Sequence, residues 1–148
     1  MKKFLCAALL ASMMLCSSVS AAGVGSAFSS EEIIGESVIN GMVGRGSYAS
    51  VVANFVPDMA QKFTEAAHKQ GIASVQKDFG NISNIRLVSA NRAYNPQGQF
   101  AFDTLIFLAN GSNGKNVGVE MMFVPQGGSY KVAAVGFRPV ELRAPQQK

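Results

Sequence analysis

Apolar residues recur along this chain with two different periods, and the change falls near Ile82. Before it the spacing is helical. Ile34, Val38 and Met42, with Ile39 beside them, make the stripe of an amphipathic helix with one face toward a core. Ser29 or Ser30 can cap that helix. Glu31 and Glu32 sit in its first turn, where the helix dipole favours acids, and Gly44-Arg45-Gly46 ends it. Ser47 caps a second helix, in which Tyr48, Val51, Val52, Phe55 and Val56 follow at helical spacing. Pro57 cannot donate to the preceding turn, so it breaks the pattern, and it suits the first position of a new helix. There Met59, Phe63, Ala66 and Ala67 face inward, and Asp58–Lys62 and Glu65–Lys69 are i,i+4 ion pairs outside. Gly71 punctuates. Ile72, Val75 and Phe79 form a last short stripe, closed by Gly80-Asn81.

From Ile82 onward the period is two, the period of strands. The pattern predicts strands at about Ile85–Tyr94, Gln99–Ala109, Asn116–Val124 and Tyr130–Arg138. Asn95-Pro96-Gln97-Gly98, the run from Asn110 to Gly114, and Pro125-Gln126-Gly127-Gly128 are turns short enough to force antiparallel hairpins. The expectation is an α+β fold, with N-terminal helices packed on one face of a four-stranded antiparallel meander.

Closing the hairpins about these turns assigns the faces. Ile85, Leu87, Ser89, Asn91, Phe100, Phe102, Thr104, Ile106, Leu108, Val117, Val119, Met121, Phe123, Tyr130 and Val132 are expected toward the helices. Arg86, Arg92, Asp103, Glu120 and Lys131 are expected on the outer face with Leu105, Phe107, Met122, Val135 and Phe137. A one-residue bulge would exchange the sets locally. Two candidate surfaces follow. Ser89, Asn91, Thr104 and Tyr130 are the polar minority of the helix-facing side, the layout of a ligand pocket with a few converging polar groups. Leu105, Phe107, Met122, Val135 and Phe137 form an apolar centre with a charged rim, the layout of a homodimer interface.

The first twenty-two residues change the setting. Lys2 and Lys3, the apolar run from Phe4 to Cys16, and the mostly small residues from Ser17 to Ala22 have the order of a signal peptide. The apolar run is shorter than the roughly 20 residues a bilayer span needs, so no stable membrane span is expected. The reading is residues 1–22 as signal, 23–28 as a flexible leader, 29–143 as one domain and 144–148 as a polar tail, in a protein exported to the periplasm or outside the cell. Cleavage just before Cys16 with lipidation is disfavoured, since Leu15 rather than a small residue precedes it. Cys6 and Cys16 are the only cysteines and both fall in the signal, which removes disulfides, thiol nucleophiles and cysteine-rich metal sites from the mature chain. Loss of Lys2 and Lys3 lowers the net charge of +4, and the remaining basic residues are scattered, so nucleic acid is not an expected partner.

Catalytic chemistry finds little support. His68 is the sole histidine and falls with Glu65 and Lys69 on the polar side of its helix, reading as a solvated imidazole. Asp103 and Glu120 could form a carboxylate pair, but Arg92 beside Asp103 and Lys131 near Glu120 make cross-strand ion pairs the simpler reading. The glycine-bearing turns open no helix after a strand, so they form no phosphate loop. No cofactor and no metal are expected.

Gly46-Ser47-Tyr48 with Val52, Phe55, Pro57-Asp58-Met59 and Phe63, followed by Val75, Phe79-Gly80, Ile82 and Ile85, resembles the small exported domains of unknown function in the nuclear-transport-factor-2-like (cystatin-like) superfamily. The resemblance implies a cone, with helices wrapping a curved sheet around a cavity. Members range from enzymes to binding modules, so the fold alone assigns no chemistry. The functional expectation is an exported, non-enzymatic binding domain that holds a small apolar ligand between helices and sheet, or a protein partner. The alternative is a small cavity hydrolase or isomerase using Asp103 or Tyr130. A cysteine-protease inhibitor is disfavoured, because the Gln-x-Val-x-Gly loop of that group is absent.

Overall fold

Gly80, at φ 71°, turns the helical half of the chain into the stranded half. A computed structural model describes residues 28–141. The signal and leader read over residues 1–27, both cysteines, and the polar tail read over 144–148 lie outside the described residues. Within them the architecture is α+β. Helices α1 (Ser29–Met42), α2 (Tyr48–Val52), α3 (Pro57–Lys62) and α4 (Glu65–Phe79) precede strands β1 (Ile82–Tyr94), β2 (Phe100–Gly111), β3 (Asn116–Gln126) and β4 (Ser129–Val140). The strands form one antiparallel sheet in the order β1-β2-β3-β4.

The sheet is flat and open, with β1 and β4 as its two edges, and does not curl into a cone. This overturns the expected curved, cystatin-like meander and the resemblance to the nuclear-transport-factor-2-like superfamily that implied it. The physical reason lies in the ladders. Bulges bend strands, and the irregularities here fall in the pairings of the edge strands, near Asn84, Val88 and Ala93 of β1 and between Met122 and Phe123 opposite β4. The central β2–β3 ladder runs from Asp103↔Phe123 to Asn110↔Asn116 without interruption, so nothing bends the middle of the sheet. The residues that carried the resemblance are caps, turn glycines and stripe positions, which any helix-plus-meander chain requires.

The helical half departs from expectation at one joint. The helix opening at Pro57 stops at Lys62, and a new one begins at Glu65, capped by Thr64, whose Oγ1 accepts from the Ala67 N–H at 3.1 Å. Gly71 lies inside α4 rather than ending it. The break resets the helical phase. His68 now shares a stripe with Ile72, Val75 and Phe79, and it is buried, 4% exposed, instead of solvated. Its Nε2 lies 2.9 Å from the Gly41 carbonyl oxygen of α1. Its ring packs against Tyr48 and Phe63, at centroid distances of 5.9 and 6.0 Å.

The sheet faces are the second correction. On β3 the expected alternation holds, with Val117, Val119, Met121 and Phe123 fully buried. Their cross-strand partners on β2 are Ala109, Phe107, Leu105 and Asp103, so these, and not Phe102, Thr104, Ile106 and Leu108, face the helices. On β1 the irregularity at Val88 switches the phase: Leu87 and Ala90 pack on the core, while Ser89 and Asn91 pair with Ile106 and Thr104 on the outer face. On β4 the irregularity near Ala133 turns Val135 and Phe137 toward the core. α1 seats on this face through Gly35, where a Cβ would stand 2.5 Å from the Phe107 ring.

Candidate functional site

Two features stand out from the packed core: a buried charge cluster on the helix side of the sheet, and the uncovered outer face. The cluster begins with a cross-strand pair. Arg92 of β1 stands opposite Asp103 of β2 and grips it with two hydrogen bonds, Nε to Oδ1 at 2.9 Å and Nη2 to Oδ2 at 2.8 Å. This parallel two-point geometry is the strong form of a guanidinium–carboxylate contact. Asp103 has no solvent exposure, and Arg92 is 36% exposed along its side chain. The guanidinium lies over the rings of Phe28 and Phe100, 5.2 and 4.9 Å from their centroids, so it also gains from the negative aromatic faces. Its Nη2 is 3.5 Å from Tyr130 Oη. Asp103 holds the Arg92 pKa above its ordinary value, the favourable contact outweighing burial.

Glu31 of α1 is the third member. Its side chain is 3% exposed, its Oε1 lies 3.8 Å from Arg92 Nη2, and that oxygen has no hydrogen-bond partner. Burial, followed by a hydrogen bond to Asp103, pushes its carboxyl up to about 7. Sequence reasoning took Glu31 for a dipole-facing acid. The signal that finds it is its phase: Glu31, Gly35, Val38, Ile39 and Met42 are the buried stripe of α1.

The expected residues distribute as follows. Asp103 and Tyr130 both reach Arg92, but both Asp103 oxygens accept from the guanidinium, so Asp103 is held as an ion-pair partner. Glu120 lies on the opposite face, with Oε2 3.7 Å from Arg138 Nη2, so Asp103 and Glu120 do not form a pair. Lys131 Nζ donates to the Ala53 carbonyl at 2.6 Å. Ser89, Asn91 and Thr104 come together on the outer face, and Tyr130 stands apart from them on the helix side. Leu105 and Phe107 are fully buried in the core, Val135 and Phe137 pack against it, and Met122 alone of the five expected interface residues stays on the outer face.

The outer face carries Phe102, Ile106, Leu108, Met122 and Val124, all half-buried and none packed on the helix-side core. No described element covers them. A shallow groove of about 280 Å³ crosses the face, lined by Thr104, Glu120, Met122, Ala134, Val135 and Gly136. A second cleft of about 400 Å³ lies beside α3, lined by Val56, Asp58, Met59, Lys62, Phe63 and Ala133. Among the described residues no three His, Cys, Asp or Glu side chains are grouped to hold a metal ion, and no helix is long and apolar enough to cross a membrane. Comparison with protein-family models, with curated proteins and with solved structures finds no match to this chain.

Proposed function

We propose that the protein is an exported, non-enzymatic interaction domain that works through the outer face of its sheet, and that the face pairs with the same face of a second copy. Export rests on the charged, apolar and small-residue order of residues 1–22. The observation that carries the interaction reading is a row of large apolar side chains on a sheet face with no described element over it. Antiparallel sheets commonly leave one face to water, but that face is then polar. Here β2 presents Phe102, Ile106 and Leu108 outward.

The dimensions favour a second copy. Four strands about 4.8 Å apart and about ten residues long, at about 3.3 Å each, cover roughly 600 Å². A standard interface takes about 800 Å² per partner, so one flat face nearly suffices. A flat face meets its own twofold mate without a shape mismatch. Arg86 of β1 and Arg138 of β4 stand on the two edge strands as a polar rim, and Arg138 Nη2, 3.7 Å from Glu120 Oε2, partners the one acid that β3 places within the face beside Ile106. The interior is a poorer place for a ligand, because Gly35 already lies against the Phe107 ring there.

Sedimentation equilibrium tests the proposal on the wild type and on Ile106→Lys. The lysine stands opposite Glu120, so the monomer tolerates it, while a face-to-face dimer must bury it. The expected result is a wild-type dimer and a folded monomeric variant. A wild type that stays monomeric at high micromolar concentration removes the second copy as the occupant of the face.

A further inference from the structure

We propose that Glu31, Asp103 and Arg92 form a proton-operated latch, which holds the first turn of α1 on the sheet while Glu31 is protonated and releases it when Glu31 ionises. The charge count carries the inference. Two buried carboxyls face one guanidinium, and the guanidinium is already committed to Asp103 through two hydrogen bonds. Its distance to Glu31 Oε1 is 3.8 Å, which is an ion-pair contact and not a hydrogen bond. A second carboxylate at the 3% exposed Glu31 side chain would be a buried charge without a bonded partner, and that is costly. With a proton, Glu31 becomes a donor to Asp103, and the site holds one anion and one cation.

The first turn of α1 is held in part by this contact. Its N-cap is Phe28, whose side chain makes no capping hydrogen bond. Ile33 is 70% exposed, so that side of the turn gives no grip. What seats the turn is the Phe28 ring, buried in the hydrophobic core and against Arg92, together with Glu31, and the Glu31 contact is the part of that seat a proton controls. Among the described residues, the charged and titratable groups around Glu31 are Asp103 from β2 and Arg92 from β1, with Tyr130 of β4 and Tyr94 of β1 bearing on it through Arg92. Phe123 is the β3 neighbour of Asp103 and carries no charge.

The pH sense follows from linkage. In the unfolded chain Glu31 titrates near its ordinary 4.5, and in the fold near 7. Between these values the native state keeps a proton that the unfolded state has lost. Stability therefore falls as pH rises through that window, and this group adds no further change above it.

The direct test is the pH titration of the Glu31 carboxyl carbon by NMR in uniformly labelled wild-type protein. Amide hydrogen exchange of residues 29–35 is followed in parallel at about pH 5.5 and about pH 8, corrected for intrinsic rates. A Glu31 midpoint near 7 is expected, with exchange in the first turn at least tenfold faster at the higher pH. Glu31→Gln should keep that turn protected at both. Asp103→Asn frees the guanidinium for Glu31 and should move the midpoint down. A Glu31 carboxyl that titrates in the ordinary range overturns the proposal. So does a midpoint near 7 with no change in exchange, and that result needs no variant to fold.

Discussion

Leu105 and Leu108 offer a controlled test of which face of β2 is the core. They are the same residue type on one strand, three positions apart, so they point to opposite faces. Leu105 is fully buried opposite Met121, whereas Leu108 is half-buried opposite Gly118 on the outer face. Truncation of Leu105 to alanine removes three carbons from a dry site, worth about 2.4 kcal/mol at roughly 0.8 kcal/mol per carbon. A residual cavity of about 50 Å³ adds about 1.2 kcal/mol at roughly 24 cal/mol per Å³. The sum is about 3.6 kcal/mol, a large part of the 5–15 kcal/mol typical of a domain. At Leu108 the removed carbons are already partly hydrated and no closed cavity forms, so the cost is about 1 kcal/mol or less.

Urea unfolding followed by far-ultraviolet circular dichroism reads the difference. With a slope of about 1.5 kcal/mol per molar, Leu105→Ala lowers the midpoint by about 2.4 M and Leu108→Ala by less than about 0.7 M. The measurement belongs at low protein concentration, where a dimer through the outer face would not add to the Leu108 value. Equal costs at the two sites, or a larger one at Leu108, would refute the assignment of Leu105 and Phe107 to the core.

Three further outcomes follow from the same contacts. His68→Ala should cost about 2–3 kcal/mol in urea unfolding, since it strips the packing on Tyr48 and Phe63 and leaves the Gly41 carbonyl without its partner; a loss under about 0.5 kcal/mol would return His68 to the surface. Arg92→Met should cost about 3 kcal/mol near neutral pH because it strands Asp103 in the core, and the paired change Arg92→Met with Asp103→Leu should be milder than Arg92→Met alone. Ser112→Ala should cost about 1 kcal/mol by removing the acceptor of the Asn81 N–H, visible as a lowered melting temperature.

The element order was legible in the sequence because each element has its own punctuation. Ser47 caps α2 through the Ser50 N–H, Pro57 opens α3, Gly80 closes α4, and the expected Glu65–Lys69 pair forms at 3.1 Å. The four strands sit where period two placed them, within a few residues at each end. What the pattern could not decide is the face of β2, because both of its sides are apolar: Phe102, Ile106 and Leu108 against Leu105, Phe107 and Ala109. Asp103 argued for the wrong side, since an isolated acid belongs in water, and only the fold brings Arg92 opposite it within the buried layer. The same blindness hid Glu31 and His68. Polar residues on a buried stripe look like surface residues until their partners, which are distant in sequence, are in place.

The choice of face comes down to the β2–β3 turn. Gly111 and Lys115 share a backbone hydrogen bond of 2.8 Å around a three-residue loop, with Gly114 in the left-handed region at φ 83°. An odd loop pairs residues of like parity, so Leu105 stands beside Met121 and Phe107 beside Val119. One residue more or fewer would send Phe102, Ile106 and Leu108 inward. That loop is held from outside the hairpin by the end of α4. Asn113 Nδ2 and Lys115 Nζ donate to the Asp78 carbonyl at 2.8 and 3.2 Å, and the Asn81 N–H donates to Ser112 Oγ at 2.9 Å. These bonds also give partners to groups at the helix C-terminus, which otherwise has carbonyls to spare. A helix end therefore braces the turn whose parity decides which apolar row is packed as core and which is left on the outer face.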